Sequence, residues 1–375
     1  MKHPTPTATD RHSRDASTAL SLSLPADTVL YLLLPAHAGQ FDVSLAQAGI
    51  LLAANRLVRI AGYSWVARLY ASRGDRFICT LAVLASSCCA LGYATLSGFW
   101  ALLAMRLLWG LSYAALNLST QTLATSNLAG AAHRTGRSRA IIASGPMLAL
   151  PAGAWLAELS GPRTIFFILA ALALCALPSA RRLPPQEHTE VAPAPVRRLQ
   201  RPGSLDAWSF MEGLTLDGLF VIGLSLVAQD ALPAWALLGA GVVLALRYLS
   251  EILLSPLGGR IADRLGAERM LVVLSLVTAT ALVGFGAGWL WSCALAIVIL
   301  RALQLPLLAP IVARRHPGPE RIRALAARSV WRDIGAGVGP LIAGLVLPGT
   351  PALLVYGVAA LLLSLAALAC LRSGR

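Results

Sequence analysis

The apolar residues of this chain do not alternate with polar ones. They gather into runs of about 20, long enough for a helix to cross the roughly 30 Å hydrocarbon core of a bilayer. Short segments with Arg, Pro or Gly separate the runs. They predict helices 1 to 6 at 20–38, 44–65, 77–96, 98–122, 137–158 and 163–180. Helices 7 to 12 follow at 208–229, 232–254, 269–288, 290–312, 324–347 and 351–371. The period-two pattern of a strand barrel is absent, and a helix satisfies its own backbone hydrogen bonds in lipid. The predicted class is an all-α membrane protein of about twelve transmembrane helices. Helix 1 has a second reading, because its run ends at Ala36-His37-Ala38 and Lys2, Arg11 and Arg14 precede it, as in a cleaved signal peptide. Asp27 inside the run, and the prompt start of helix 2, favour a retained helix.

The longest polar interruption contains Pro184, Pro185, Pro193, Pro195 and Pro202, a linker composition too short for a domain. It divides the helices six and six. The predicted organisation is an N-terminal cytoplasmic tail over 1–19, a six-helix bundle over 20–180, a cytoplasmic linker over 181–207 and a second bundle over 208–371. Polar positions repeat between the halves. Asp27 of helix 1 has a counterpart in Asp217 of helix 7. Asn55 of helix 2 precedes Gly74 by the interval that separates Arg247 of helix 8 from Gly266. Arg106 precedes Pro146 by nearly the interval from Arg301 to Pro340. Matches in the same order argue for internal duplication and two pseudo-symmetric bundles, an architecture common among secondary transporters.

Composition and charge sharpen the picture. Of 375 residues, 57% are hydrophobic and 13% charged, and the mean hydropathy is +0.69. That is about half the charge of an ordinary soluble domain. With the N-terminus inside, most of the 31 Lys and Arg fall in cytoplasmic segments, and only Arg163 falls in an outside loop. The positive-inside rule then places both termini in the cytoplasm of a bacterial-type inner membrane. The net charge of +14 reflects orientation and contact with anionic lipid, and nucleic-acid binding is not expected. Cys79, Cys88, Cys89, Cys175, Cys293 and Cys370 fall in predicted helices without metal-ligand spacing and read as buried free thiols. No metal, no cofactor and no catalytic constellation is expected, and a monomer is the expected state.

Ionisable residues inside a membrane are costly, so they mark cavities or functional pairs. The candidates for a substrate or proton pathway are Asp27, Arg56, Arg59, Arg106, Asp217, Arg247, Glu251, Arg301, Arg332 and Asp333. Arg56 and Arg59 are expected on one face of helix 2, and Arg247 and Glu251 one turn apart on helix 8. Arg332-Asp333 is expected near the opening of helix 11, and Asp27 in the inner third of helix 1. The alternative for Arg247, Glu251, Arg332 and Asp333 is snorkelling or structural pairing at the cytoplasmic boundary.

Several motifs resemble those of the major facilitator superfamily. Gly259, Asp263, Arg264, Gly266 and Arg269 reproduce the spacing of its loop signature, here between helices 8 and 9. In the first-half copy, before Gly74, Ala71-Ser72 replaces the Asp-Arg pair. Arg106, Gly110 and Ala114 match the helix 4 signature and share one helical face. Gly145-Pro146 resembles the helix 5 signature common in the family's exporters, with a relative in Gly335, Gly339 and Pro340 of helix 11. The resemblance implies the major facilitator fold and alternating access around a central cavity. It also implies a gating role for Asp263, capping or pairing at the cytoplasmic start of helix 5 where Arg137 and Arg139 stand.

No phosphate-cradling loop is present, so a proton gradient is the expected energy source. Asp27, Asp217 and Glu251 can carry protons, and Asp217, without a basic neighbour on its own helix, is expected to carry them best. The expected function is export of a small molecule, a drug-like compound or a secreted metabolite such as a siderophore, by proton antiport. Partners are then the substrate, protons and membrane lipid. An importer or uniporter of an organic anion or sugar is the first alternative, and a non-transporting sensor or assembly protein the second.

Overall fold

A computed structural model describes residues 6–185, 202–224, 236–318 and 320–372. No strand occurs among them. Helix 1 runs as Pro6–Ser23 and Pro25–Ala36. Helices 2 and 3 form one continuous stretch, Leu45–Thr95. Helix 4 is Phe99–Ala124, helix 5 Ala131–Ser160, and helix 6 Thr164–Leu174 with Leu177–Arg181. Helix 7 runs from Ser204–Glu212 through a π-helical segment, Gly213–Leu219. Helix 8 is Ala236–Leu265 and helix 9 Ala267–Gly286. Helix 10 is Leu290–Gln304 with Leu308–Arg315, helix 11 Glu320–Val346 and helix 12 Ala352–Arg372. Residues 186–201 of the expected linker, and 225–235 at the end of helix 7, lie outside the described residues.

The stretch Leu45–Thr95 holds 51 residues, about 77 Å of helix, more than twice a bilayer core. It breaks at Gly74, whose φ of 73° is open to glycine but strained for a residue with a Cβ. Gly266, with φ 95°, makes the equivalent break between helices 8 and 9. Each connection is thus reduced to a glycine turn. This corrects the expected loop between helices 8 and 9: the signature from Gly259 to Leu265 is the last turns of helix 8, and helix 9 begins at Ala267, just past Gly266.

Helix 1 also differs from expectation, because it begins at Pro6 and not near residue 20. Asp10, Arg11, Arg14 and Asp15 hid its first turns from a reading based on hydrophobic runs. Packing reveals them, since Ser13, Asp15, Ala16, Ser17 and Ala19 are buried. The longer helix moves Asp27 from the expected inner third to beyond the helix midpoint. Likewise helix 11 begins at Glu320, so Arg332 sits in its fourth turn and not at its opening.

Between helices in lipid there is little hydrophobic drive, so small residues that permit close approach carry much of the packing. A Cβ on Gly145 would stand 2.0 Å from the Ser21 carbonyl oxygen, and one on Gly339 would stand 2.4 Å from that of Leu214. The glycine of each Gly-Pro signature thus lets helix 5 touch helix 1, and helix 11 touch helix 7. Gly110 admits the backbone of helix 2 in the same way, with the Asn55 carbonyl oxygen 2.6 Å from a Cβ there. Exposed leucines such as Leu148, Leu341 and Leu345 line outward faces suited to lipid. Trp100 and Trp289 stand exposed at the starts of helices 4 and 10, as interfacial anchors do. Cys88 and Cys175 are exposed, contrary to the expectation of buried thiols, whereas Cys79, Cys89 and Cys370 are buried.

Two compact units divide the described residues: 6–127, 138–185 and 320–326 in the first, and 128–137, 202–224, 236–318 and 327–372 in the second. The opening turns of helix 5 therefore group with the second unit, and those of helix 11 with the first.

Candidate functional site

In the first unit, an arginine and an asparagine converge on one carboxylate, that of Asp27. Asp27 follows Pro25, where helix 1 is interrupted. Its Oδ1 accepts from Nη1 of Arg106 on helix 4, and from Nδ2 of Asn55 on helix 2 at 3.2 Å. Arg106 is fully buried, and its Nε donates to the Leu51 carbonyl at 3.0 Å. The Tyr31 ring covers the guanidinium at 5.2 Å, while the Tyr31 hydroxyl donates to the Leu52 carbonyl at 2.8 Å. One acid and one base, closed in by neutral groups, make a compact neutral pair.

The second unit builds a larger cluster at the matching place. Asp217 lies in the π segment of helix 7, a distortion often found at functional sites. Its Oδ1 accepts from Nη2 of Arg301 on helix 10 at 2.7 Å and from Nη2 of Arg247 on helix 8 at 3.1 Å. Its Oδ2 accepts from Nη2 of Arg332 on helix 11 at 2.7 Å. Glu251 accepts from Nη1 of Arg301 at 2.6 Å and from Nε of Arg247 at 3.5 Å. Glu212 accepts from Nε of Arg332 at 2.8 Å. Three carboxylates thus balance three guanidinium groups, drawn from four helices.

The two sites repeat each other. In both, an acid of the half's first helix binds an arginine of its fourth helix and a side chain of its second. The pairs matched along the sequence are the pairs that occupy these places: Asp27 and Asp217, Arg106 and Arg301, Asn55 and Arg247. Each acid also stands at an irregularity of its helix, Asp27 just after the break before Pro25 and Asp217 within the π segment.

The remaining candidates scatter. Arg59 stacks over the Tyr113 ring of helix 4 at 4.5 Å, and Arg56 is half-buried. Asp333 is half-buried beside Arg332, and Arg264 and Arg269 are exposed. Asp263 does reach the start of helix 5. Its two oxygens accept from the backbone N–H groups of Ala132 at 3.2 Å and His133 at 2.9 Å, capping otherwise unpaired donors. Gly259 makes room for this contact, since a Cβ there would stand 2.2 Å from the Ala132 carbonyl oxygen. Gly110 and Ala114 line the buried face that carries Arg106.

Sequence reasoning missed Glu212 and Tyr31. Glu212 is an acid inside a predicted membrane helix and could have been found by the cost of burying it. Tyr31 gave no signal, because a tyrosine in an apolar run reads as packing. The expectation for Asp217 rested on its own helix alone, and three arginines reach it from three other helices.

A helical membrane chain in two matched units, each holding a buried ion network between its first, second and fourth helices, has the build of a polytopic transport protein. The family model for the Major Facilitator Superfamily matches residues 16–237 and 210–374, and the chain belongs to that family of membrane transporters. Among solved structures it is similar to the human organic anion transporter MFSD10 (TETRAN), with a TM-score of 0.73. That match is 17% identical and covers 98% of this chain and 100% of the other, a likeness of fold. Among curated protein sequences none matches the chain.

Proposed function

We propose that the protein is a proton antiporter that exports a small molecule, drug-like or a secreted metabolite such as a siderophore, by alternating access. It would work in a bacterial-type cytoplasmic membrane, as a monomer with both termini inside. The buried Asp27–Arg106 pair carries this reading. An arginine keeps its charge at any working pH, so only Asp27 can switch the pair. A proton on Asp27 cancels the attraction, leaves Arg106 to its carbonyl partners and frees helices 1, 2 and 4 to repack. The proton then biases the same conformational equilibrium that substrate binding biases, which is the minimum an antiporter needs.

Asp27, and not Asp217, is the better coupling acid on this argument. Protonating Asp27 removes the sole carboxylate from a one-to-one pair. Protonating Asp217 removes one charge from a six-membered cluster that still holds two carboxylates. Everted membrane vesicles, energised by an imposed pH gradient and supplied with compounds that accumulate in cells lacking the gene, give the test. Asp27→Asn is expected to abolish gradient-driven accumulation while downhill exchange survives. Accumulation by that variant at the wild-type rate would remove Asp27 as the coupling site. Wild-type vesicles that ignore the gradient would favour the second reading, an importer or uniporter of an organic anion or sugar. The description of MFSD10 as an organic anion transporter supports that second reading.

A further inference from the structure

The second unit carries more charge in its membrane helices than the shared fold requires. At the positions that match Arg247 and Arg332 by interval, the first unit has neutral residues. Asn55 matches Arg247 by its interval to the glycine turn, and Ser138 precedes Pro146 by the interval from Arg332 to Pro340. Asn55 donates to Asp27 at 3.2 Å, and Ser138 accepts from Ser17 at 2.7 Å. An amide thus completes the contact of helix 2 with the acid of helix 1, and a hydroxyl joins helix 5 to helix 1 nearly three turns before that acid, neither with a charge. Arginine in their place is costly in a membrane helix, and helix packing does not account for it.

We propose that Arg247 and Arg332 form a binding site for the carboxylate of an organic anion, and that the Asp217 side chain stands in that site as an internal substitute. The proposal rests on the transport reading and names the substrate class and the residues that select it. Asp217 already shows the geometry: a carboxylate with Arg247 on one oxygen and Arg332 on the other, at 3.1 and 2.7 Å. Guanidinium groups are the usual partners for such planar recognition. The two arginines also differ from the other two in exposure. Their side chains are 28% and 23% exposed, against 5% for Arg301 and 0% for Arg106. Arg301 holds Asp217 and Glu251 from the buried side and acts as a positioning residue. When an anion takes Arg247 and Arg332, Asp217 keeps Arg301.

A cationic ligand is disfavoured by the same cluster. It would approach three guanidinium groups that cannot lose their charge, whereas carboxylates can yield their partners or take up a proton.

The test measures binding to the purified full chain in lipid nanodiscs by calorimetry, with naphthylacetate, decanoate and acetate as probes. The methyl ester of naphthylacetate and naphthylethylamine serve as controls. Naphthylacetate or decanoate is expected to bind, and the ester and the amine to bind at least tenfold more weakly. Arg247→Gln and Arg332→Gln are each expected to weaken carboxylate binding about tenfold or more, and the lysine variants to restore part of it. Because a lone glutamine leaves an acid unmatched, the charge-balanced pairs R247Q/E251Q and R332Q/E212Q repeat the measurement. Arg260→Gln, exposed on the same helix 8, controls for net charge. No carboxylate binding in the millimolar range, equal binding of acid and ester, or full affinity in both balanced pairs would each overturn the site. Transport is read separately in proteoliposomes. A carboxylate that binds but does not cross sinks the transport reading and leaves the site, whereas transport without carboxylate binding does the reverse.

Discussion

At the scale of single residues, the structure turns on how a membrane helix tolerates charge. Arg106 is buried completely, and it can be so because Asp27, two backbone carbonyls and the Tyr31 ring surround its guanidinium. Removing one partner of such a pair leaves the other charged and unmatched, at a cost of about 3–5 kcal/mol. Arg106→Gln is therefore expected to lower the thermal unfolding temperature of the purified protein sharply. The double variant D27N/R106Q, which removes both charges, is expected to recover most of the loss. If the double variant melts as low as the single one, the pair's role lies in packing and not in charge. The sequence disclosed both members, because each charged residue in an apolar run is conspicuous. It did not disclose that they touch, since the whole of helices 2 and 3 lies between them in the chain.

At the scale of helices, glycine does two separate jobs, and substitution tells them apart. Gly266 has nothing within 4 Å of an added Cβ, so alanine there meets only the strain of its positive φ. That strain is about 1–3 kcal/mol. Gly145 has helical neighbours and a carbonyl oxygen 2.0 Å from the added atom, so Gly145→Ala must push helix 1 away from helix 5. We expect G145A to lower the unfolding temperature more than G266A, and the reverse order would contradict the close approach seen here. The Asp263 cap is a third helix-scale device. Asp263→Ala removes both acceptors from the first turn of helix 5, a loss of about 1 kcal/mol by analogy with ordinary caps. Deuterium exchange at Ala132 and His133 is expected to quicken in that variant, and unchanged exchange would show that the cap is not holding the turn. The loop signature announced the importance of Asp263, because its spacing is a family motif. That the signature is helical up to Gly266 was not legible, since polar residues at a helix end and in a loop look alike.

At the scale of the whole molecule, orientation follows from the distribution of Lys and Arg. Both termini and the 181–207 segment are expected on the cytoplasmic side, so cysteines placed there should resist membrane-impermeant reagents in intact cells. External labelling at that segment would overturn the twelve-helix arrangement. The helical membrane class and the family were legible in the sequence alone. The reason is that apolar run length, basic-residue bias and motif spacing are properties summed along the chain, and each survives without knowledge of any neighbour. Helix 1 escaped in part, because the burial of Ser13, Asp15 and Ser17 depends on what packs against them. Which charge meets which was decided only by the tertiary structure. Asp217 has no basic residue on its own helix, yet three arginines from helices 8, 10 and 11 converge on it. Their positions lie 30, 84 and 115 residues away along the chain. Only the close packing that glycines and the π segment permit brings them within hydrogen-bonding distance, and no local pattern encodes that meeting.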